Sequence, residues 1–125
     1  MILGIGVDVV GVERFAAGLA ATPGLRRRLF TDEERDLPVR SLAARFAAKE
    51  ALAKALGAPS GLSWQDVTIP ASGGAPPVAL VSGAVAARLA ELGGGRILLS
   101  MSHDGAVAVA SVVVEVADLA VGGDR

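Results

Sequence analysis

The stretch from Val39 to Leu56 constrains this chain most, because everything else must pack around it. Its composition reads as one long helix, with Pro38 suited to the first turn and Gly57 to the end. At roughly 100° per residue, Leu42, Phe46, Ala53 and Leu56 fall on one stripe. Lys49 falls inside that stripe and Arg45 lies at its edge, while Glu50 and Lys54 sit one turn apart on the adjoining face. A solvated face would keep such charges away from an apolar stripe. Two readings stand: the cations border the core in order to hold an anion, or they snorkel out to water along their apolar stems.

The partners of that helix must be small. Hydrophobic residues make up 52% of the 125, but aromatics only 3%, so Ala, Val and Leu have to build the core. A chain of this length suits one domain and one core, expected over residues 1–120, with a loose tail over 121–125. Small side chains make a thin core, and association between copies would help stabilise it. The net charge of −1 gives no global attraction to nucleic acid or an anionic membrane. The absence of cysteine excludes disulfides, thiolate metal sites and cysteine nucleophiles. No apolar run reaches the length of a membrane span, and no basic leader precedes the first strand, so a cytoplasmic protein is expected.

Ile2 to Val10 reads as a buried strand. Alternation puts Leu3, Ile5, Val7 and Val9 on one face, and Ile2, Gly4, Gly6, Asp8 and Val10 on the other. A helix is expected over Val12 to Ala21, stopped near Thr22-Pro23-Gly24. Thr31 with Glu34 three residues on has the form of a capping box opening a further helix. Val67 to Pro70 and Pro77 to Val81 read as short strands, and Ala84 to Leu92 as a helix ended by Gly93-Gly94-Gly95. Arg96 to Ser102 and Ala106 to Val116 read as two long strands joined at Asp104-Gly105, a strong hairpin signal. Helices mixed with short strands and a terminal hairpin argue an α+β fold.

Three places break local rules. Asp8 is a carboxylate in an apolar strand, where Gly4 and Gly6 on the same face suggest open space; it needs a cation there or at the strand end. The long helix carries Arg45, Lys49, Glu50 and Lys54. The only histidine, His103, sits in Ser100-Met101-Ser102-His103-Asp104 at a strand end. A Ser–His–Asp hydrolase triad is excluded for that cluster, since neighbours on a strand alternate faces and no nucleophile-elbow sequence occurs. Carboxylates, cations and no thiols fit a hard metal such as Mg²⁺. Neither common nucleotide-binding motif is present, so a bound phosphate would be held by other means.

These segments together resemble one family. Gly4-Ile5-Gly6-Val7-Asp8-Val9-Val10 followed by Val12-Glu13-Arg14-Phe15 resembles the first motif of the holo-acyl-carrier-protein synthases. Arg45 to Gly57 resembles their central motif, and Ser100 to Asp104 their third. The resemblance runs from Ile2 to about Glu115. It implies a 4′-phosphopantetheinyl transferase-like fold: one long helix packed on a small, mainly antiparallel sheet, assembling as a homotrimer with active sites between subunits. It also implies transfer of the phosphopantetheine arm of coenzyme A to a serine of apo acyl carrier protein, releasing 3′,5′-ADP, and a place in fatty acid biosynthesis.

Residue by residue, Asp8 and Glu50 would ligate Mg²⁺. Lys54 and Gly57 would line the coenzyme site with Arg45 and Phe46 nearby, Lys49 would help position phosphate or the metal-bearing carboxylate there, and Ser100, Ser102 and His103 would border its nucleotide end. Arg14 and Arg26, Arg27 and Arg28 would meet an acidic helix of the carrier. The base that takes the serine proton is open among Glu50, a metal-bound water, His103 and Asp104. Two positions depart from the family pattern: Ala75 stands where a cation is frequent, and Val107 where an aromatic is. Rival readings are a non-catalytic coenzyme A or nucleotide-binding module, a Mg²⁺-dependent pyrophosphate hydrolase using the same site, and a structural trimer subunit.

Overall fold

β-Branched residues and glycines share the first strand, β1 (Ile2–Gly11), and that mixture decides how the rest packs. In the computed structural model, which describes residues 1–117, β1 pairs antiparallel with β5 (Val107–Val116). β5 pairs antiparallel with β4 (Gly94–Asp104), giving a three-stranded sheet of order β1-β5-β4. Asp104 pairs with Val107 across the expected hairpin, and Gly105 takes a positive φ of 56° there, a backbone region glycine enters without a Cβ penalty. The tail expected at Val121 to Arg125, and residues 118–120 of the expected domain, lie outside the described residues.

The long helix, α3 (Val39–Ala55), lies across one face of this sheet. The contact is closer than the sequence suggests. A Cβ added to Gly4 would sit 2.0 Å from the carbonyl oxygen of Ala55, and one on Gly6 would sit 1.9 Å from that of Ala51. The expected open space beside Asp8 is therefore filled by helix backbone. Glycine on the strand and alanine at 47, 48, 51 and 55 on the helix bring the two main chains together.

The opposite side of α3 is covered too. Leu42 packs with Leu29 and Phe30, and Leu52 and Leu56 pack with Val67, Ile69 and Val85. A helix covered on nearly every side has no single apolar stripe, which explains why Arg45 and Lys49 are buried while Ala53 is not. The covering elements are α1 (Val12–Ala21), α2 (Leu25–Leu29), a 3₁₀ turn at Trp64–Asp66, the short strand pair β2 (Val67–Thr68) and β3 (Leu80–Val81), and α4 (Gly83–Glu91). The fold is α+β, as expected.

Two local readings are corrected. The capping-box bond exists, with the Thr31 amide donating to Glu34 Oε1 at 3.0 Å, yet residues 31–37 form successive turns and no helix of their own before α3 begins at Val39. Glu34 is fully buried and its carboxylate also serves the interior, so this residue closes a loop. Leu3 does not share a face with Ile5: a register shift between Ile2 and Gly4 turns it into the core.

The sheet face away from α3 stays open among the described residues. Ile5, Val7 and Val9 are 69%, 55% and 59% exposed. Register places Val7, Ser111 and Ser100 in one row across this face and Val9, Val109 and Ser102 in the next. It grades from apolar on β1 to hydroxyl-bearing on β4.

The close approach predicts a sharp contrast between two glycines. Gly6→Ala should destabilise the chain by about 2 kcal/mol or more, because the clash is with backbone that cannot step aside. Gly18→Ala in α1, where a Cβ meets nothing within 4 Å, should be neutral or stabilise by up to about 1 kcal/mol. Urea denaturation of both variants checks this; equal effects would contradict the close-packing account.

Candidate active site

The α3–β1 seam carries Asp8 on the strand and Glu50 and Lys54 on the helix. Asp8 follows Gly6 on the face of β1 that meets α3, and Lys54 crosses the seam to it: its ammonium donates to Asp8 Oδ1 at 3.1 Å and to the Val7 carbonyl at 3.0 Å. The Asp8 side chain is 21% exposed and that of Lys54 54%, so this ion pair borders solvent. Asp8 thus finds the cation that the sequence required of it.

Glu50 lies one turn before Lys54. Its Oε2 accepts the indole N–H of Trp64 at 3.0 Å. Among the described residues, Asp8 Oδ2 and Glu50 Oε1 accept no hydrogen bond. No group of three or more His, Asp or Glu side chains gathers around them among the described residues. Two carboxylates with open oxygens and no softer donors suit Mg²⁺, which keeps several positions for water and substrate phosphate.

Two clefts flank this pair, and Trp64 lines both. One, of about 180 Å³, runs from Glu50 over Leu52, Leu56, Leu62 and Val85. The other, of about 420 Å³, has Asp8, Arg14 and Arg28 around Phe15, Leu29 and Phe46. Phe46 stacks on Phe15 with centroids 5.4 Å apart and meets Trp64 at 6.3 Å. Gly57 ends α3 with φ of 87° and stays exposed.

Lys49 and Arg45 turn inward, and Lys49 does hold an anion, but it is the chain's own Glu34 carboxylate rather than a ligand. Neither snorkels to water, and neither faces the seam. The Lys49 ammonium donates to Glu34 Oε1 at 2.7 Å and to the carbonyls of Leu29 and Trp64 at 2.9 and 3.0 Å, which uses all three of its protons. It also lies 5.3 Å from the centre of the Phe30 ring. Burial pushes the Lys49 pKa down, partly offset by the bond to Glu34. Arg45 donates to the carbonyls of Ile69, Pro70 and Ser41, and burial lowers its pKa too. Both cations tie backbone to α3; the phosphate-facing position implied for Lys49 is not the one it takes.

Ser100, Ser102, His103 and Asp104 are exposed on β4. Within one chain they do not join Asp8 and Glu50. β5 lies between the two strands, which puts them about 10 Å apart at ordinary strand spacing. Ser100 and Ser102 share the open face with Ile5, Val7 and Val9. Of the basic residues, Arg14, Arg27 and Arg28 are exposed, whereas Arg26 donates to the Arg35 carbonyl at 3.0 Å and so has an internal use.

Sequence reasoning missed Glu34 and Trp64. Glu34 was legible only as a cap; the signal that could have found it is the inward Lys49, which needs an anion. Trp64 is the chain's one tryptophan, in a polar loop, and that rarity was its only signal.

Comparison with known proteins gives this α+β fold a family. Residues 4–109 match the family model described as the 4′-phosphopantetheinyl transferase superfamily. The chain is 57% identical to a holo-[acyl-carrier-protein] synthase of Micrococcus luteus, over 92% of this chain and 93% of that one. Two solved structures are similar: holo-[acyl-carrier-protein] synthase from Neisseria meningitidis, with a TM-score of 0.81 and 35% identity over 92% of this chain and 99% of that one, and that from Helicobacter pylori in complex with coenzyme A, with a TM-score of 0.75 and 30% identity over 89% and 99%. The chain belongs to the 4′-phosphopantetheinyl transferase superfamily, in its holo-[acyl-carrier-protein] synthase branch, and is an enzyme of the transferase class.

The inward Lys49 predicts a division between scaffold and site. Glu34→Gln should destabilise the chain by about 3–5 kcal/mol, because it strands a buried ammonium. Lys54→Met, at the solvent-bordering pair, should cost less than about 1 kcal/mol. Denaturation curves of the two variants check this, and a Glu34→Gln variant as stable as the parent would contradict it.

Proposed function

We propose that this protein transfers the 4′-phosphopantetheine arm of coenzyme A to a serine of an apo acyl carrier protein, with Mg²⁺ as cofactor and 3′,5′-ADP as the released product. The observation that carries the reading is Asp8 on β1 bonded to Lys54 one turn beyond Glu50 on α3, each carboxylate keeping an open oxygen. The kinship with synthases, one of them solved with coenzyme A, supplies the substrate class.

In this reading the carrier serine oxygen attacks the β-phosphorus of coenzyme A, and the bond to the 3′,5′-ADP oxygen breaks. Such transfers depend mainly on positioning and charge stabilisation. Asp8 and Glu50 would hold Mg²⁺, which when bound supplies charge neutralisation at the pyrophosphate. Lys54 holds Asp8 in place and adds a cation at the same spot. Phe46 and Gly57 shape the coenzyme side. The serine proton passes to Glu50, His103 or Asp104, and hydrogen-bond reach in the assembled enzyme selects among them.

His103 and its neighbours reach the seam only from another copy. The uncovered apolar face of β1, with Ser100 and Ser102 on the same sheet face, supports a homotrimer in which one subunit's β4 end completes its neighbour's Asp8–Glu50 site. Arg14 and Arg28, at the rim of the larger cleft, and the exposed Arg27 suit an acidic carrier helix, and opposite charge there speeds encounter. No helix among the described residues is long and apolar enough to cross a membrane.

Intact-mass analysis of apo acyl carrier protein incubated with the protein, coenzyme A and Mg²⁺ tests the proposal. The carrier should gain one phosphopantetheine, and EDTA or Asp8→Ala should abolish the gain. Folded protein that binds coenzyme A but modifies none of several carriers would overturn it.

A further inference from the structure

Trp64 is fixed from several directions, and it fixes Glu50 in turn. Its backbone carbonyl accepts from the buried Lys49 ammonium at 3.0 Å. The preceding Ser63 caps the 3₁₀ turn through its side chain, which accepts from the Gln65 amide at 3.1 Å. The following Gln65 side chain donates to the carbonyls of Arg27, Arg28 and Phe30 at 2.8, 3.2 and 2.9 Å. The indole itself leans on Phe46, which is stacked on Phe15. With ring and backbone both held, the N–H has one direction to point, and it points at Glu50 Oε2 at 3.0 Å.

We infer that Trp64 is a positioning residue for the metal-holding carboxylate: by binding one oxygen of Glu50, Oε2, it fixes the group and leaves the other, Oε1, open for the metal. Carboxylates that ligate metals are commonly held by such outer hydrogen bonds, and losing one typically lowers metal affinity 10–100-fold. The inference rests on the reading of Glu50 as a Mg²⁺ ligand. It adds that the buried Glu34–Lys49 pair, which anchors the Trp64 carbonyl, sets the metal site from the interior. A second consequence is spectroscopic: the chain's only tryptophan is bonded to a ligand, so its emission must report the metal.

Mn²⁺ binding, followed by the loss of the free-ion paramagnetic signal with coenzyme A present, tests this in the parent protein, Trp64→Phe and Glu50→Gln. Trp64→Phe keeps a ring against Phe46 but removes the donor. It should weaken Mn²⁺ by about tenfold or more, with the far-ultraviolet dichroism unchanged, while Glu50→Gln weakens it at least as much. Emission of the parent should shift on adding Mg²⁺, and that shift should vanish in Glu50→Gln; this measurement needs no tryptophan variant to fold. Parent-like Mn²⁺ affinity in Trp64→Phe, alongside weakened Glu50→Gln, would overturn the positioning role alone. Parent-like affinity in Glu50→Gln would overturn the ligand reading and the inference with it. A parent emission indifferent to Mg²⁺ would also count against the inference.

Discussion

The contact between the backbone of β1 at Gly4 and Gly6 and the backbone of α3 at Ala51 and Ala55 governs this molecule. Close packing of a helix onto a sheet needs small residues on both sides, and here the strand gives up its Cβ atoms altogether. The approach draws the Glu50–Lys54 turn of α3 up to β1, so that Lys54 reaches Asp8 from one helical turn beyond Glu50. A seam lined by leucine or valine would separate the helix and strand charges by a side-chain layer. The same feature that lets a chain with few aromatics build a dense core therefore brings the Lys54 ammonium to the Asp8 carboxylate.

A second polar layer lies behind the seam. Glu34 and Lys49 form an ion pair with side chains 0% and 1% exposed. A pair so buried gains its value from complete satisfaction rather than from Coulomb attraction alone. Glu34 also accepts from the Thr31 and Ile69 amides, and Lys49 also donates to the Leu29 and Trp64 carbonyls. One pair thus pins the 31–37 turns, the end of α2, the 3₁₀ turn and the residue that follows β2 to one face of α3. With Arg45 holding the Ile69 and Pro70 carbonyls, the irregular half of the molecule is tied to the helix by charge, while the sheet half is tied by contact.

Much of this was legible in the sequence. Element positions followed from punctuation by glycine and proline, as at Pro38, Gly57 and Asp104-Gly105, and from β-branched runs. Asp8 announced itself by being a carboxylate in an apolar strand, and a cation does meet it. What was not legible depended on tertiary context. Periodicity alone could not reveal that α3 is covered on nearly all sides, so Lys49 and Arg45 read as facing a ligand or water when they face carbonyls. Glu34 obeyed a local rule while its main partner lay 15 residues away. Gly4 and Gly6 read as open space beside Asp8, but the sequence did not say that helix main chain would fill it. The distance between His103 and Asp8 within one chain likewise follows from strand order, which no motif states.

The central claim is that the seam makes one metal site from Asp8 and Glu50. A crystal of the protein grown with coenzyme A and Mn²⁺, measured for anomalous scattering, tests it directly. The account predicts a single Mn²⁺ peak contacted by both carboxylates, with coenzyme phosphate beside it. A peak held by other side chains, or ordered coenzyme A with Mn²⁺ touching neither Asp8 nor Glu50, would contradict it.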